Sequence, residues 1–457
     1  MGETAHHHHG PPPPQQAAPP PQPPPPNFAL SRGPTWPPAE QLQHLHYCIH
    51  SNPFWPEAVL LAFEHYIVML GTTLLIASTL VPRMGGDSGD KARVIQSLLF
   101  MSGINTLLQT FLGTRLPTVM GASFAFYLPV LSIINDNTDK NFSNEHDRFV
   151  YNMRTIQGSL IVSSFVNIIL GFSKAWGNFT RLFSPVTIVP VVCVVGLGLF
   201  LRGFPLLANC VELGLPMLIL LVLSQQSTGT FYAASRLAGA TPPPAHVLSR
   251  SIGLHGIGML LEGIFGSVVG TTASVENVGL LGLTGIGSRR VIQISTAFMI
   301  FFSIFGKFGA FFASIPLPIF GAIYCIVLGI VAAVGISFTQ FVNNNSTRNH
   351  YVLGVSLFLG ISVSEYFVLN TNGNGDGPVR TGGGWFNNIF NTIFSSAPTM
   401  AMIVGTILDN TLDARHTRNE RGIPWWVPFQ HRKGDIRNEE FYSYPLRIHQ
   451  LIPTRFL

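Results

Sequence analysis

Charge is what this chain has least of. Only 10% of its 457 residues are Asp, Glu, Lys or Arg, against about 25% in a typical soluble domain. That deficit excludes an ordinary water-facing surface. Cysteine is almost as scarce: Cys48, Cys193, Cys210 and Cys325 are scattered, which excludes a disulfide framework and a CxxC metal site. No nucleophile–base–orienter set is visible, so an enzyme is not expected, and no cofactor is implied. No nucleic-acid-binding motif accompanies the net charge of +5, most of whose excess lies in the C-terminal tail. No apolar stretch follows Met1 in the manner of a cleavable signal, so the first apolar span is expected to direct the chain to the membrane.

What fills the chain instead is apolar: 47% hydrophobic residues, gathered in runs of about 20, the length that crosses a bilayer. Residues 1–56 stand apart. His6 to His9 and the proline runs between Pro11 and Pro26 cannot bury a core, and a disordered or polyproline II tail is expected. Residues 57–410 read as a transmembrane transporter domain. Twelve spans are expected, at 57–82, 94–113, 116–135, 156–173, 182–201, 205–233, 252–270, 273–285 (a short half-helix), 291–314, 316–340, 350–369 and 389–409. The tail 411–457 carries eight arginines and lysines from Arg415 to Arg455, so the positive-inside rule places it in the cytoplasm. An even span count puts the N-terminus there as well. Arg236 and Arg250 in one loop, and the pair Arg289-Arg290, fall on the same side. The loop after the third span falls outside and holds the glycosylation candidate Asn141-Phe-Ser143. Asn178 and Asn344 also match that acceptor pattern but face inward. Two proline-led spans align on Pro185 and Pro316, matching at Ile188/Ile319, Leu197/Leu328 and Gly198/Gly329, as a repeated transporter fold would show.

Polar groups at membrane depth are costly unless they line a cavity or find partners. The chain concentrates them in Thr271 to Gly285, where Ser274, Glu276, Asn277 and Thr284 alternate with Gly279, Gly282 and Gly285. Gly-interrupted polar half-helices build midplane sites in secondary transporters. Glu276 can accept two N–H groups from a planar heterocycle, and Asn277 can hold the half-helix to a neighbour. Glu64-His65 in the first span reads as a hydrogen-bonded network or proton relay. Met120 to Tyr127 joins small residues to aromatics that could stack on a flat ligand. Glu262 is a further intramembrane acid, Lys307 snorkels to the interface, and Glu212 is interfacial.

At these residues the chain resembles the plant nucleobase–ascorbate transporter family, the nucleobase:cation symporter-2 group. The family pattern Q/E/P-N-x-G-x-x-x-x-T-R/K/G is matched in full by Glu276-Asn277-Val-Gly279-Leu-Leu-Gly-Leu-Thr284-Gly285. The first-span pair of the family stands here as Glu64-His65, and the third-span Ser-Phe as Ser123-Phe124. The resemblance runs from about Pro53 to the end. It implies an all-α polytopic membrane protein, an inverted-repeat fold with core and gate domains and short discontinuous half-helices. It further implies a small nucleobase substrate (purine, xanthine, uric acid or uracil), H+ as coupling ion, a homodimer and a place in the plasma membrane. By the same resemblance Glu276, Asn277, Phe124, Ser123, Gly279 and Thr284 belong to the substrate site and His65 to the core network; Glu64 and Glu262, as acids at membrane depth, are read from the residues themselves as part of a proton-coupling network. The chain departs from the family at Ser224-Gln-Gln-Ser-Thr-Gly229. Gln226 takes the place of a glutamate ligand, and the stretch Val211 to Met217 runs directly into it. Two of fourteen spans are missing there. A glutamine hydrogen bonds but carries no proton. Two alternatives therefore stand beside proton-coupled nucleobase symport: a transport-inactive form acting only through assembly with full-length partners, and an ascorbate carrier.

Overall fold

The computed structural model describes residues 45–137, 140, 142–175, 182–198, 231–305, 307–308, 311, 317–371, 377–382, 384–413, 416–430 and 437–444. Helix α1, Trp55–Met84, opens with a proline in its first turn and closes on Gly85 in the left-handed conformation. At ~1.5 Å per residue it spans a bilayer with length to spare. Helix α2, Ser88–Phe111, starts in a capping box in which the Asp87 side chain takes the Asp90 amide and Asp90 returns the bond. Reciprocal capping satisfies two of the amides that every helix start leaves over. Among the described residues five helices are long and apolar enough to cross a membrane: Trp55–Met84, Ser88–Phe111, Glu145–Phe172, Pro318–Phe341 and Thr347–Leu369.

Where the expected third span should run unbroken, the chain instead forms strand β1, Met120–Ala122, a single 3₁₀ turn at Phe124–Phe126, and the short helix α3, Tyr127–Asp136. Strand β2, Thr271–Ala273, pairs antiparallel with it in the register Met120↔Ala273, Gly121↔Thr272, Ala122↔Thr271. The protein is thus mostly helical rather than all-α. The reason is local: unpaired backbone cannot persist at membrane depth unless it is buried in protein, and each short strand supplies the other's partners. Two further bonds extend the pair, Ser123 N–H to the Gly270 carbonyl at 3.1 Å and Ser274 N–H to the Val119 carbonyl at 2.8 Å.

The remaining helices, in order, are α4 Glu145–Phe172, α5 Pro185–Leu197, α6 Phe231–Leu237, α7 Ala245–Phe265, α8 Val275–Thr284, α9 Arg289–Ile304, α10 Leu317–Ser337, α11 Thr347–Leu369, α12 Gly384–Ser395, α13 Ala397–Thr411, α14 Ile423–Gln430 and α15 Arg437–Tyr442. The expected half-helix at 273–285 is α8. The expected span 389–409 is two helices, because Ser396 is extended and Pro398 opens α13, which ends the preceding helix. Helices α4 and α7 begin earlier than expected: a polar first turn follows the Asn144 cap of α4, and α7 starts directly after the proline run that ends at Pro244. Most of the expected span 205–233 lies outside the described residues, with Gln226, Asn141, Asn178, Cys210 and Glu212.

Packing sorts the helices into two groups. Around α1 gather α2, α3, α4, α7, α8 and α9, with Leu70, Leu74, Leu98, Met259, Leu281 and Met299 fully buried or nearly so. A second core joins α5, α11 and α14 through Val189, Val192, Val352 and Trp426. Helix α10 serves both: Tyr324, Val327 and Leu328 enter the first core and Val334 the second. Outward, α4 bares Val162, Phe165, Val166 and Ile169, an apolar face of the kind that meets lipid.

Two results fall outside the sequence expectation for the tails. Residues 46–51, assigned to the disordered tract, are held by backbone bonds from Ile49 to Ala238, from Gly287 to Tyr47 and from His46 to Gly285. The C-terminal tail is also docked. Three arginines from different segments grip the carbonyl end of α15: Arg250 donates to Tyr442 (2.9 Å), Arg289 to Phe441 (3.2 Å) and Arg115 to Ser443. Guanidinium groups there complement the negative end of the helix. Burial and the like charge of Arg250 pull Arg115 down to about 10, which leaves it protonated at neutral pH. Arg289 also donates to the Arg115 carbonyl at 2.6 Å. Replacing Arg289 with Ala orphans two carbonyls, a cost of about 1–3 kcal/mol. The variant is expected to melt earlier in detergent and to lose its tail sooner to trypsin; an unchanged melting temperature and cleavage rate would count against the clamp.

Candidate functional site

Strands β1 and β2 interrupt the membrane path twice, and each is followed by a short helix. Because the strands are antiparallel, the segments leading to α3 and α8 leave the pair from opposite ends. Helix N-termini present free N–H groups and positive potential. The site expected from Thr271 to Gly285 therefore sits at the meeting point of two broken spans.

Ser274 caps α8, its Oγ accepting the Asn277 amide at 3.2 Å and the Asn277 side-chain amide at 3.0 Å. The same hydroxyl donates to Glu276 Oε2 at 2.9 Å. From α1, Thr72 donates to Glu276 Oε1 at 3.2 Å. Tyr324 of α10 lies 2.9 Å from Thr72, and donates there because the Thr72 proton is already given to Glu276. His65 Nδ1 lies 2.9 Å from Asn277 Oδ1, an acceptor, so Nδ1 carries the proton. Six side chains thus form one chain, His65–Asn277–Ser274–Glu276–Thr72–Tyr324. Every proton in it points toward Glu276, which donates none. Glu276 is 6% exposed, Asn277 and His65 1% each. Each Glu276 oxygen accepts one bond and a carboxylate offers about four sites, so acceptor capacity remains for a ligand.

The structure brings together Glu276, Asn277 and His65, and it adds Thr72 and Tyr324, which sequence reasoning missed. Their signal was faint: a Thr72-Thr73 doublet and a lone Tyr324 inside apolar runs. Ser123 takes the place at β1 that Ser274 takes at β2, one residue past the strand. Phe124 begins the 3₁₀ turn and packs half-buried on the main core, 6.4 Å from the Tyr127 ring. Gly279 and Thr284 lie elsewhere on α8. Gly279 is pressed against Val327 of α10, where a Cβ would come within 2.6 Å of a carbonyl. Thr284 bonds back to the Leu280 carbonyl at 2.9 Å. Glu64 is half-buried, about 100° around α1 from His65. Glu262 lies behind β2, bonded to Thr271. Lys307 is exposed.

Gly71 makes the close approach of α10 possible: a Cβ there would stand 2.2 Å from the Phe320 ring and 2.6 Å from the Tyr324 hydroxyl. Gly71→Ala is expected to push α10 off α1 and break the Thr72–Tyr324 bond, costing about 1–3 kcal/mol as overpacking does. A lowered melting temperature checks this; Ala accepted without loss would show that the α10 side chains relax freely.

The Permease family's sequence model matches residues 56–211 and 203–369. Nucleobase-ascorbate transporter 3 of Arabidopsis thaliana is 60% identical over 524 aligned positions, covering 94% of this chain and 95% of that protein. Nucleobase-ascorbate transporters 2 and 1 of the same plant are 48% and 47% identical, each alignment covering 91% of this chain and 98% of the relative. Ninety-four per cent of 457 residues is about 430, so about 94 of the 524 positions stand opposite a gap in this chain. That is room for two spans of ~20 residues with their loops. The two family matches overlap at 203–211, inside the stretch 199–230 that lies outside the described residues.

Proposed function

The chain belongs to the plant nucleobase–ascorbate transporter family of permeases, and from that premise we propose that it carries a nucleobase across the membrane with a proton, by alternating access. The observation that carries this reading is the convergence of every donor in the buried network on Glu276 at the mouth of a broken span. A planar base offers paired N–H groups, and the free acceptor sites of Glu276 suit them. Asn277, fixed by His65 and Ser274, positions the half-helix. Phe124 contributes a flat apolar face, Ser123 a hydroxyl at the start of the other arm, and Gln226 a hydrogen-bonding side chain. The two strand–helix arms, paired antiparallel, support an inverted repeat. The helices around α1 act as the core that holds the base, and those around α5 and α11 as the gate that moves against it. Both termini face the cytoplasm, the membrane is the plasma membrane, and the working unit is a homodimer.

The gap of about 94 aligned positions favours a second reading, a transport-inactive form that acts by assembling with full-length partners. Uptake of labelled xanthine and uracil decides between them, in cells lacking their own base carriers and with the tagged chain at the surface quantified. Saturable uptake that rises at acid pH is the expected result. Chain at the surface with no uptake, both unmodified and as Gln226→Glu, favours the inactive form. Competition by ascorbate, a family substrate implied by the relatives' names, separates the two substrate classes.

A further inference from the structure

The arginines that hold the C-terminal tail are gathered without an anion. Arg115 Nη1 donates to the Ser443 carbonyl, and Arg289 donates to the carbonyls of Phe441 and Arg115. Among the described residues no carboxylate lies within 4.0 Å of either guanidinium. The two acids of α15, Glu439 and Glu440, are exposed, and Glu440 stands 3.9 Å from His50. Arg250 completes the group. It donates to the Tyr442 carbonyl at 2.9 Å, and its guanidinium carbon lies 4.4 Å from the centre of the Tyr444 ring.

Two details single out Arg115. Its Nε is buried and donates to nothing, and a buried donor left unpaired costs about 1–3 kcal/mol. Its backbone is left-handed, with φ 58°, a conformation uncommon outside glycine. Such strain persists only where the surroundings hold it, and it gathers at functional positions. Like charges brought together this way favour a compact anion, and the guanidinium fork matches phosphate.

One hydroxyl is placed to carry that phosphate. Ser443 lies between Tyr442 and Tyr444, both of which touch Arg250, and its own carbonyl is on Arg115. Its side chain is exposed. The flanking hydroxyls are less available: Tyr442 is buried and donates to the Thr241 carbonyl, and Tyr444 is half-buried with its ring against Arg250.

We propose that Ser443 is a phosphorylation site whose phosphate is gripped by Arg115 and Arg250. The donor is a nucleoside triphosphate on a protein serine kinase. Ser443 Oγ bonds to the terminal phosphorus, the bond from that phosphorus to the bridging oxygen breaks, the nucleoside diphosphate leaves and the hydroxyl proton passes to the kinase. Phe441 and Tyr442 are buried, so the kinase meets the tail undocked, and the phosphate then favours the docked form. From the reading above the proposal takes only that the tail faces the cytoplasm. Its effect reaches the candidate site, because Arg115 stands five residues before β1 and Arg289 four residues after the Gly285 cap of α8. The 2.6 Å bond between them joins the entry of one arm to the exit of the other.

The full chain, purified from plant cells in detergent with and without phosphatase treatment, tests this. Mass spectrometry should find one phosphoryl group on Ser443. The phosphorylated tail should be cut by trypsin about 10-fold more slowly than the dephosphorylated tail, as new charge-assisted bonds imply. Ser443→Ala should lose that difference. Arg115→Gln should shrink it, and Arg115→Lys serves if Gln does not fold. A second measurement does not depend on stability: the 31P signal of the phosphoserine should titrate below the ordinary value of about 6, and move back toward it in either Arg115 variant. An unmodified Ser443, equal cleavage rates, or an ordinary titration overturns the proposal. Equal protection of Ser443→Ala by inorganic phosphate, or by vesicles containing a phosphoinositide, overturns it in favour of a site for a free or lipid-borne phosphate. Trypsin added to sealed cells should spare the tail; cleavage there would overturn the cytoplasmic placement itself, apart from the chemistry of Ser443.

Discussion

Asp409→Ala is expected to cost roughly 3–5 kcal/mol, the penalty for stranding buried charge. Asp409 is fully buried near the end of α13. Its carboxylate accepts from Arg421 Nε at 3.0 Å and Nη2 at 2.5 Å, from Arg348 Nη2 at 2.9 Å and from Ser184 Oγ at 2.7 Å. Ser184 opens α5, Arg348 sits in the first turn of α11 and Arg421 lies in the tail before α14. Three segments are tied to one acid on a fourth. Arg348 also donates to the carbonyls of Asp409 and Leu412, closing the end of α13. Removing the acid leaves two guanidinium groups facing each other with no anion between them. Asp409→Asn keeps the shape and loses the charge, so it should fall between wild type and Ala. The melting temperature in detergent, followed by size exclusion, measures both; values within error of wild type would show that the cluster adds nothing to stability.

Glu276→Ala is expected to reduce base uptake by about 10–100-fold at limiting substrate, as the loss of charge-assisted bonds worth ~1.5–3 kcal/mol implies. The amount of chain at the surface should not change, because the donors left behind are hydroxyls. Ser274 and Thr72 can turn to each other's neighbours or to water. Glu276→Gln should fall between, since it keeps one acceptor and sets a donor against the base. Uptake unaffected by Glu276→Ala, with expression equal, would remove this residue from the site and the reading built on it. Loss of surface chain would instead make Glu276 a structural tie between α1 and α8.

Several features were legible from residue order because they depend only on neighbours in the chain. The apolar runs of α1, α10 and α11 follow from composition and length. The half-helix α8 follows from its Ser274 cap, its glycines and the polar pair Glu276-Asn277. The split at Pro398 has a local cause, because proline restricts the residue before it, although hydropathy alone reads 389–409 as one span. The strand at Met120–Ala122 was not legible at all. Three small or apolar residues read as helix in a membrane, and only the presence of Thr271–Ala273 alongside, about 150 residues later, gives their backbone groups partners.

The sequence by itself determined that this is a multi-pass membrane protein of the permease family, and it marked the polar stretch around Glu276 as the candidate site. Those conclusions rest on local composition and a ten-residue pattern. Only the tertiary structure decided which polar groups act together. His65 reaches Asn277 and Thr72 reaches Glu276 from more than 200 residues away in the chain, Tyr324 joins them through Thr72, and Glu262 turns instead to Asn105 and Thr271. A hydrogen bond needs its atoms within about 3 Å, and where an apolar chain brings its few polar groups to that distance is set by how the helices pack.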